Sequence, residues 1–205
     1  MFSGRSPLAP RWPNTIGRAI AKNGCVMSRM LTSRAMTVLT RDVLLEEIAA
    51  RRIVIEPLEP DQVGPASIDL TLGDEIRLIV RSSEPIPIRE DVDYRDHTRV
   101  ASLAQPYVLA PGATIHGITR ERVTLATDLC GLLEGRSRFA RLGLMIHVTS
   151  AFVQPGVSNR QVLEISNVSG HPLEIHAGVR ICQLVVMRAE GQATYRGRFA
   201  EQERL

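Results

Sequence analysis

The sequence has few cysteines, few aromatic residues and no long apolar run, and each shortage excludes a class of protein. Its three cysteines, Cys25, Cys130 and Cys182, are widely spaced and form no CxxC pair, which excludes a zinc ribbon or a thioredoxin-like site. A sparse, odd set is typical of a reducing compartment and favours a cytoplasmic location. Aromatic residues make up 4%, too few for stacking the bases of single-stranded nucleic acid. No apolar run approaches the ~20 residues that a membrane span requires.

Positive charge is concentrated at the beginning of the chain. Seven of the 25 lysine and arginine residues precede the first acidic residue, Asp42, which leaves 18 basic against 22 acidic residues in the remainder. A mildly acidic body does not suit a protein that coats DNA. The sequence therefore predicts no nucleic-acid partner and no membrane partner.

The first 36 residues differ in composition from the rest. They are basic, contain no acidic residue, and include several serines, prolines and glycines. This composition is typical of a transit peptide, but it also fits an upstream start codon ahead of a true start at Met36. A secretory signal is not predicted, because an apolar stretch with a small-residue cleavage site is lacking. We predict a disordered or mis-assigned extension over 1–36 and one domain over 37–205.

One helix is predicted near the start of this domain. Thr40 can cap it, and Asp42 lies in its first turn, where the helix dipole favours an acidic residue. The pattern ends near Arg51, and its apolar face consists of Val43, Leu44, Leu45 and Ile48.

The remainder predicts short strands and turns. The segment 68–80 divides at Gly73-Asp74 into two strands of a hairpin, and the polar residues 82–105 form a surface excursion. The best core strands cover 161–167 and 179–187, and turns are predicted at Pro111-Gly112, Pro155-Gly156 and Ala177-Gly178. The fold class is mainly β, closed like a barrel or jelly roll, with one N-terminal helix.

The densest polar segment is EGRSRFARLGL, residues 134–144. Its arginines can bind phosphate through planar, permanently charged donors. Ser137 adds a hydroxyl group, and the flanking glycines allow backbone N–H groups to approach an anion. The alternative is a solvated helical turn that carries surface arginines. The polar residues concerned are Arg136, Ser137, Arg138 and Arg141.

A second candidate is Glu164 in the segment QVLEISN. Strand alternation places it on one face with Val162 and Ser166, opposite Leu163 and Ile165. Burial beside aliphatic side chains raises the pKa of a carboxyl group, which makes such a group a usable general base near neutral pH. The alternative is an outward-facing glutamate on a barrel strand.

The five histidines are scattered and form no HxE or HExxH spacing, so a structural or surface role is predicted for each: His97, His116, His147, His171 and His176. His147 lies closest to the arginines. The C-terminal TYRGRFAEQERL is polar, which indicates either a frayed end or a lid that orders over an anionic ligand through its arginines.

Several motifs occur in a family-like order. They are PASIDLTLG, LAPGATIHGIT, EGRSRFARLGLMIHVTS, QPG, QVLEISN, GVRICQL and YRGRFAEQ. Together they resemble the dCTP deaminase family over about residues 37–204. The resemblance implies a homotrimeric, dUTPase-like β-fold with active sites at subunit interfaces. It also implies hydrolytic deamination of dCTP to dUTP and ammonia, with possible feedback by dTTP.

The resemblance assigns roles to individual residues. Glu164 matches the general base, and Ser137 and Arg141 match groups that hydrogen-bond around the attacking water and the base. Arg136, Ser137 and Arg138 match the triphosphate segment, which Mg²⁺ accompanies. Zinc is not expected, because the H-x-E and P-C-x-x-C ligands of zinc deaminases are lacking. The other implied substrate-binding residues are Phe139, Ala140, Gln154, Val162, Leu163, Gln183, Tyr195, Arg198 and Gln202.

Two departures from the family pattern bear on the reaction. Gln154 replaces an aspartate that many members place at the sugar, and Arg198-Phe199 replaces a common Lys-Tyr pair. Because dUTPases use an aspartate in the corresponding region, Gln154 favours a deaminase that stops at dUTP. The alternatives are a bifunctional deaminase–dUTPase that forms dUMP, a dUTPase alone, and a catalytically silent nucleotide-binding trimer.

Overall fold

The computed structural model describes residues 37–205. The predicted extension over 1–36 lies outside the described residues. No helix among residues 37–205 is long and apolar enough to cross a membrane. The helices and strands are α1 (Arg41–Ala49), β1 (Ile53–Glu56), β2 (Ile68–Ile79), β3 (Thr98–Ser102), β4 (Tyr107–Leu109), β5 (Thr114–Leu125), β6 (Leu129–Gly135), α2 (Ser137–Ala140), β7 (Leu144–Ile146), β8 (Phe152–Val153), β9 (Ser158–Asn167), β10 (Leu173–Ile175) and β11 (Arg180–Arg188).

Nine of these strands form one antiparallel sheet. Its main path runs β7-β9-β5-β2-β11-β6-β8, while β1 pairs with β5 and β3 pairs with β2. The sheet curls, because β6 near one end approaches β7 at the other: a methyl group on Gly135 would lie 3.8 Å from Ile146. β10 and β4 form a separate two-stranded sheet. The mainly β class with a short N-terminal helix is confirmed.

The core is filled by aliphatic residues that alternate along the long strands. Ile68, Leu70 and Leu72 of β2 are fully buried, as are Leu163 and Ile165 of β9. Alternate residues of a strand point to opposite faces, so the same alternation leaves Val162 and Glu164 of β9 on the face away from this core.

The predicted hairpin at Gly73-Asp74 is wrong, because β2 continues through both residues as one strand. The register between β2 and β5 shifts between Leu72 and Ile76, so the two residues lie at an irregularity within the strand. Gly73 is required there because a Cβ atom would lie 3.0 Å from the carbonyl oxygen of Ile118. A glycine inside a strand often marks such a close backbone approach.

The predicted surface excursion over 82–105 is only partly correct. Its first part lacks regular structure, but Tyr94–His97 forms a 3₁₀ turn and Thr98–Ser102 returns to the sheet as β3. β3 pairs with the second half of β2. The excursion therefore brings Asp93 and Tyr94 back to the edge of the main sheet.

The predicted helix is confirmed as α1, with Thr40 at its N-cap position. The Thr40 hydroxyl donates to the Asp42 carboxylate rather than capping a backbone N–H group. Glu47 of α1 accepts hydrogen bonds from Arg52 at 2.6 Å and from Arg188 at 2.7 Å. These contacts attach α1 to the end of β11.

A buried glutamate that the sequence analysis did not single out braces the middle of the sheet. Glu121 of β5 has no exposed surface. Its carboxylate accepts hydrogen bonds from the Thr71 backbone N–H at 2.8 Å and from the Gln62 amide at 2.9 Å. A buried carboxylate is tolerated when hydrogen-bond donors surround it, and here they tie β5 to β2.

Candidate functional site

The described residues enclose a cavity of about 420 Å³ on the solvent-side face of β5 and β9. We call it the Glu164 cavity. Its walls combine strands β5, β8 and β9 with the loop that follows β7, the turn that carries Tyr94, and the C-terminal tail. It is lined by Tyr94, His116, His147, Ser150, Phe152, Val153, Gln154, Val157, Asn159, Gln161, Val162, Glu164, Tyr195, Phe199 and Gln202.

Glu164 is held in the cavity by the loop that follows β7. The Thr149 backbone N–H donates to the Glu164 carboxylate at 3.0 Å, and the Thr149 hydroxyl donates to the same oxygen at 3.1 Å. The backbone N–H of His147 donates to the Glu164 carbonyl oxygen at 2.9 Å. The carboxylate is therefore oriented from outside its own strand, as a positioned general base requires.

Two histidines lie beside this carboxylate. Burial lowers the pKa of His116, and Arg77 lowers it further, while the negative charge of Glu164 raises it in part. Burial also lowers the pKa of His147, again against the influence of Glu164. Because both pKa values lie below the ordinary value for histidine, both rings are neutral near neutral pH.

His147 has an unusual backbone conformation. Its φ angle is 55°, in the left-handed region that non-glycine residues rarely adopt. Both ring nitrogens are buried without a hydrogen-bond partner among residues 37–205. Strained backbone and unpaired polar atoms gather at functional sites, which makes His147 a candidate for contact with a ligand or another chain. Its structural or surface role stays a prediction.

The turn that contains Gln154 forms one edge of the cavity. Gln154 is exposed, and the Pro155 carbonyl oxygen accepts a hydrogen bond from the Tyr195 backbone N–H at 2.9 Å. Gly156 has a φ of 66°, and a Cβ atom there would lie 2.9 Å from Thr194 Cα. The turn and the first residues of the tail are therefore fixed together.

The C-terminal tail folds over the cavity and is not frayed. The Asn159 amide donates to the Phe199 carbonyl oxygen at 2.7 Å, and the Arg160 backbone N–H donates to the Gln202 carbonyl oxygen at 3.0 Å. The Gln202 amide returns a hydrogen bond to the Arg160 carbonyl oxygen at 3.1 Å. These contacts attach the tail to the beginning of β9.

Arg198 of the tail pairs with an acidic residue of the same chain. Its guanidinium lies 2.7 Å from the Asp93 carboxylate, and the neighbouring Phe199 ring lies 6.3 Å from the Tyr94 ring. Hydrogen bonds from Arg95 are the main reason that the pKa of Asp93 lies well below its ordinary value, and Arg198 adds to this effect. We call the Asp93–Arg198 contact the tail clasp.

The arginine segment, residues 136–141, does not line the Glu164 cavity. Ser137, Arg138 and Arg141 lie on or beside the short helix α2 and are exposed. Within residues 37–205, the guanidinium groups of Arg138 and Arg141 have no hydrogen bond or ion pair with another residue. They are free to meet a group from outside the described chain.

Arg136 has a different environment. It forms an ion pair with Asp69 of β2 at 3.0 Å and donates to the Arg180 carbonyl oxygen at 3.1 Å. Burial raises the pKa of Asp69, against the influence of Arg136 and Arg180. Gln183 is the register partner of Asp69, so two predicted phosphate-binding residues, Arg136 and Gln183, share this region.

The arginine segment is joined to β7 by Gly143. This glycine has a φ of 83°, and a Cβ atom there would lie 2.9 Å from the Ser169 backbone nitrogen. Its carbonyl oxygen accepts a hydrogen bond from the Val168 backbone N–H at 2.9 Å. Two backbone segments therefore meet at Gly143 with no room for a side chain.

The predicted site residues thus fall into groups. The cavity lining includes Gln154, Val162, Glu164, Tyr195 and Gln202. The side chain of Leu163 is fully buried on the opposite face of β9, so its side chain does not face the cavity. The residues that lie outside the cavity lining are Arg136, Ser137, Arg138, Phe139, Ala140, Arg141, Leu163, Gln183 and Arg198.

Some residues around Glu164 were missed as functional candidates. His116 is the cross-strand partner of Glu164, a relation that sequence alternation cannot reveal. Tyr94 comes from a segment without a strand or helix pattern, and no sequence signal points to it. Thr149 lies two residues beyond His147, so attention to the HVTS segment could have found it.

The described residues contain no group of three or more histidine, cysteine, aspartate or glutamate side chains arranged to hold a metal ion. A Mg²⁺ ion bound to a triphosphate takes most of its ligands from phosphate oxygens and water. The predicted Mg²⁺ therefore requires no set of protein ligands, and its binding stays a prediction.

The comparisons with known proteins agree with one another. Residues 38–189 match the family model described as dCTP deaminase-like. A protein of Nocardioides sp. named "dCTP deaminase, dUMP-forming" is 36% identical over 171 residues, which cover 79% of this chain and 88% of that protein. A protein of the same name from Coprothermobacter proteolyticus is 39% identical over 150 residues, which cover 72% and 80% of the two chains.

Among solved structures, the 2'-deoxycytidine 5'-triphosphate deaminase of Agrobacterium tumefaciens is similar in fold. It superposes with a TM-score of 0.60 at 24% identity, over 76% of this chain and 49% of that chain. This chain therefore matches about half of that longer protein. The mainly β fold of the single chain is confirmed by this superposition, while the homotrimer stays a prediction. With the family match over residues 38–189, the chain belongs to the dCTP deaminase family.

Proposed function

We propose that the protein removes the C4 amino group of dCTP by hydrolysis and carries the product on to dUMP. The observation that supports the deamination step best is the Glu164 carboxylate, held by two hydrogen bonds from Thr149 inside the cavity. The names of the relatives support dUMP as the final product.

In the first step, Glu164 accepts a proton from a water molecule as the water oxygen bonds to C4 of the cytosine. The carboxyl group delivers that proton to the ring nitrogen, then takes the proton of the new C4 hydroxyl group and delivers it to the amino group. The C–N bond breaks, ammonia leaves, and the C4 carbonyl of uracil remains. A general base in this position contributes about 10²–10⁴-fold to the rate.

Ser137 and Arg141 are proposed to donate hydrogen bonds around the water and the base. Because they lie outside the Glu164 cavity in one chain, we propose that they reach it from another subunit of a homotrimer. The free guanidinium of Arg141 supports this arrangement. Preorganised donors of this kind stabilise the charge that develops on the reacting ring.

The triphosphate is proposed to bind between the arginine segment and the tail. Arg136 and Arg138 offer bidentate donors to phosphate oxygens, with Mg²⁺ accompanying the phosphates. Gln183, Tyr195, Arg198 and Gln202 are proposed to close this side. Feedback by dTTP also stays a proposal, since dTTP shares the deoxyribose and triphosphate of the substrate.

The monofunctional reaction that ends at dUTP is the second candidate. Its support is Gln154, whose neutral amide replaces an acidic residue at the edge of the cavity. The named relatives favour the dUMP-forming reaction over this one. A silent nucleotide-binding trimer is the third candidate, and the held carboxylate of Glu164 counts against it.

Product analysis separates these candidates. Purified protein is incubated with dCTP and Mg²⁺ in the presence of a zinc-specific chelator, and the nucleotides are separated by anion exchange. We expect dUMP and pyrophosphate. Accumulation of dUTP would establish the monofunctional enzyme, and unchanged dCTP would contradict the proposal. A parallel incubation with Glu164→Gln controls for contaminating activities, and one with dUTP tests the second step alone.

A further inference from the structure

His116 occupies a defined place relative to Glu164. In the antiparallel pair of β5 and β9, His116 is the register partner of Glu164, and on its other side it is the register partner of Arg77 in β2. Directly opposite residues in such a pair have Cβ atoms about 4.5–5.5 Å apart and point to the same face. His116 and Glu164 also line the same cavity.

The hydrogen bonding of His116 is incomplete. Its Nδ1 atom is buried without a partner among residues 37–205, and the ring contacts the Tyr94 ring edge-on at a centroid distance of 5.6 Å. Leaving a buried polar atom unpaired costs free energy. An aliphatic residue would fill this place without that cost, so packing does not explain a histidine here.

Charge supplies the missing explanation. The groups that face His116 are Glu164 from β9, Arg77 from β2 and Tyr94 from the 3₁₀ turn. Burial lowers the pKa of His116, Arg77 lowers it as well, and Glu164 opposes both. A carboxylate and an imidazole that interact in this way titrate as a coupled pair, because a proton on either group opposes the binding of a proton by the other.

We propose that His116 is a positioning residue that keeps the Glu164 carboxylate in its proton-accepting form. This inference rests on the proposed function, in which Glu164 is the general base. His116 does not touch the reacting atoms in this account. It acts across the β5–β9 pair, because a positive charge on the imidazole opposes protonation of the neighbouring carboxylate.

The coupling can be measured without any turnover. The imidazole signals are followed by NMR as the pH is changed, and the His116 signal is assigned by its loss in His116→Leu. We expect the titration midpoint of His116 to fall by about one pH unit in Glu164→Gln, since an opposite charge at this range shifts a neighbour by about that much. His176, which pairs with Glu174 at 2.7 Å, serves as the internal control and should not move.

The catalytic consequence is measured as the pH profile of kcat with dCTP. In His116→Leu the acidic limb should move to higher pH by about one unit. His116→Gln keeps a polar group but cannot carry a positive charge, so it should shift the limb by a similar amount in the same direction. His176→Leu removes a histidine elsewhere and should leave the profile unchanged.

Each result bears on the proposal. An unmoved His116 midpoint in Glu164→Gln overturns it, and so does an unmoved acidic limb in whichever His116 variant folds, judged by its thermal unfolding. If the unaltered protein shows the coupling but does not turn over dCTP, the proposed function fails instead. Turnover without the coupling leaves the proposed function intact and rejects the role of His116.

Discussion

The Glu164 cavity and the arginine segment are built in opposite ways. The cavity is built on the long paired strands β5 and β9, and its central carboxylate already has hydrogen-bond partners in the same chain. The arginine segment lies on a short, exposed helix, and two of its guanidinium groups have no partner within residues 37–205. One region is preorganised by the fold, whereas the other is presented for a partner or ligand to organise.

Under the proposed function, this difference divides the catalytic and the binding roles between the two regions. A general base needs a fixed position and a controlled charge state, which a strand pair supplies. Binding a triphosphate needs permanent charge and freedom to close around the ligand, which exposed arginines supply. Changes in the cavity should therefore affect kcat, and changes in the arginine segment should affect assembly of the site.

The largest effect is expected for Glu164→Gln. Loss of the general base should lower kcat for dCTP by about 10²–10⁴-fold, while the neutral isostere keeps the hydrogen bonds to Thr149. Calorimetric titration with dCTP should show that binding is retained. Turnover equal to that of the unaltered protein would show that the base lies elsewhere.

Coexpression tests whether the two regions belong to one site of two subunits. Glu164→Gln and Arg141→Ala are each expected to be nearly inactive. Random mixing in a homotrimer should restore about a quarter of the unaltered activity, because one site in four then combines two unaltered halves. A mixture of the double variant Glu164→Gln/Arg141→Ala with Arg141→Ala contains no Arg141, so it cannot form a complete site and should stay inactive. Failure of the first mixture to recover activity would place both regions in one subunit.

Acid should destabilise the cavity side of the protein. The folded-state pKa values of His116 and His147 lie below the ordinary value because burial disfavours the charged ring. The unfolded chain therefore binds more protons as the pH falls, and the free energy of unfolding decreases from pH 7 toward pH 5. Denaturant unfolding at each pH should show a shallower decrease in His116→Leu. An equal decrease in that variant would mean that His116 does not contribute.

The smallest effect is expected at the tail clasp. Asp93→Ala removes the partner of Arg198 and so releases its guanidinium for the triphosphate. Because an ion pair near the surface is weak, the KM for dCTP should fall by only about two- to threefold. Asp91→Ala breaks a longer, more exposed pair with Arg89 in the same segment and serves as the control. A higher KM in Asp93→Ala would mean that the clasp holds the tail closed over the substrate.

Local signals in the sequence identify many of the elements. Alternation predicts β9 and β11, and the Pro-Gly and Ala-Gly pairs mark turns that the structure contains. The same local rules fail at Gly73-Asp74, because the glycine there allows a close approach to the backbone of β5 and does not form a turn. The sequence of one strand does not determine which other strand it pairs with.

Residues of the candidate site could be predicted only where a segment of the sequence resembles a motif of the family. Glu164 could be placed on the correct face of its strand from alternation, and its role came from the family resemblance. His116 could not be found, because its relation to Glu164 exists only after β5 and β9 pair. Tyr94 depends on a segment whose path is set by the return of β3 to the sheet.

Gly143 limits how this sequence can diverge in evolution. It is the joint between the arginine segment and β7, and the backbone of Ser169 fills the space where a side chain would stand. Gly170 has open space around it and can vary freely. Any side chain at residue 143 must displace the backbone of Ser169, whereas residues on either side of this joint can change without disturbing that close approach.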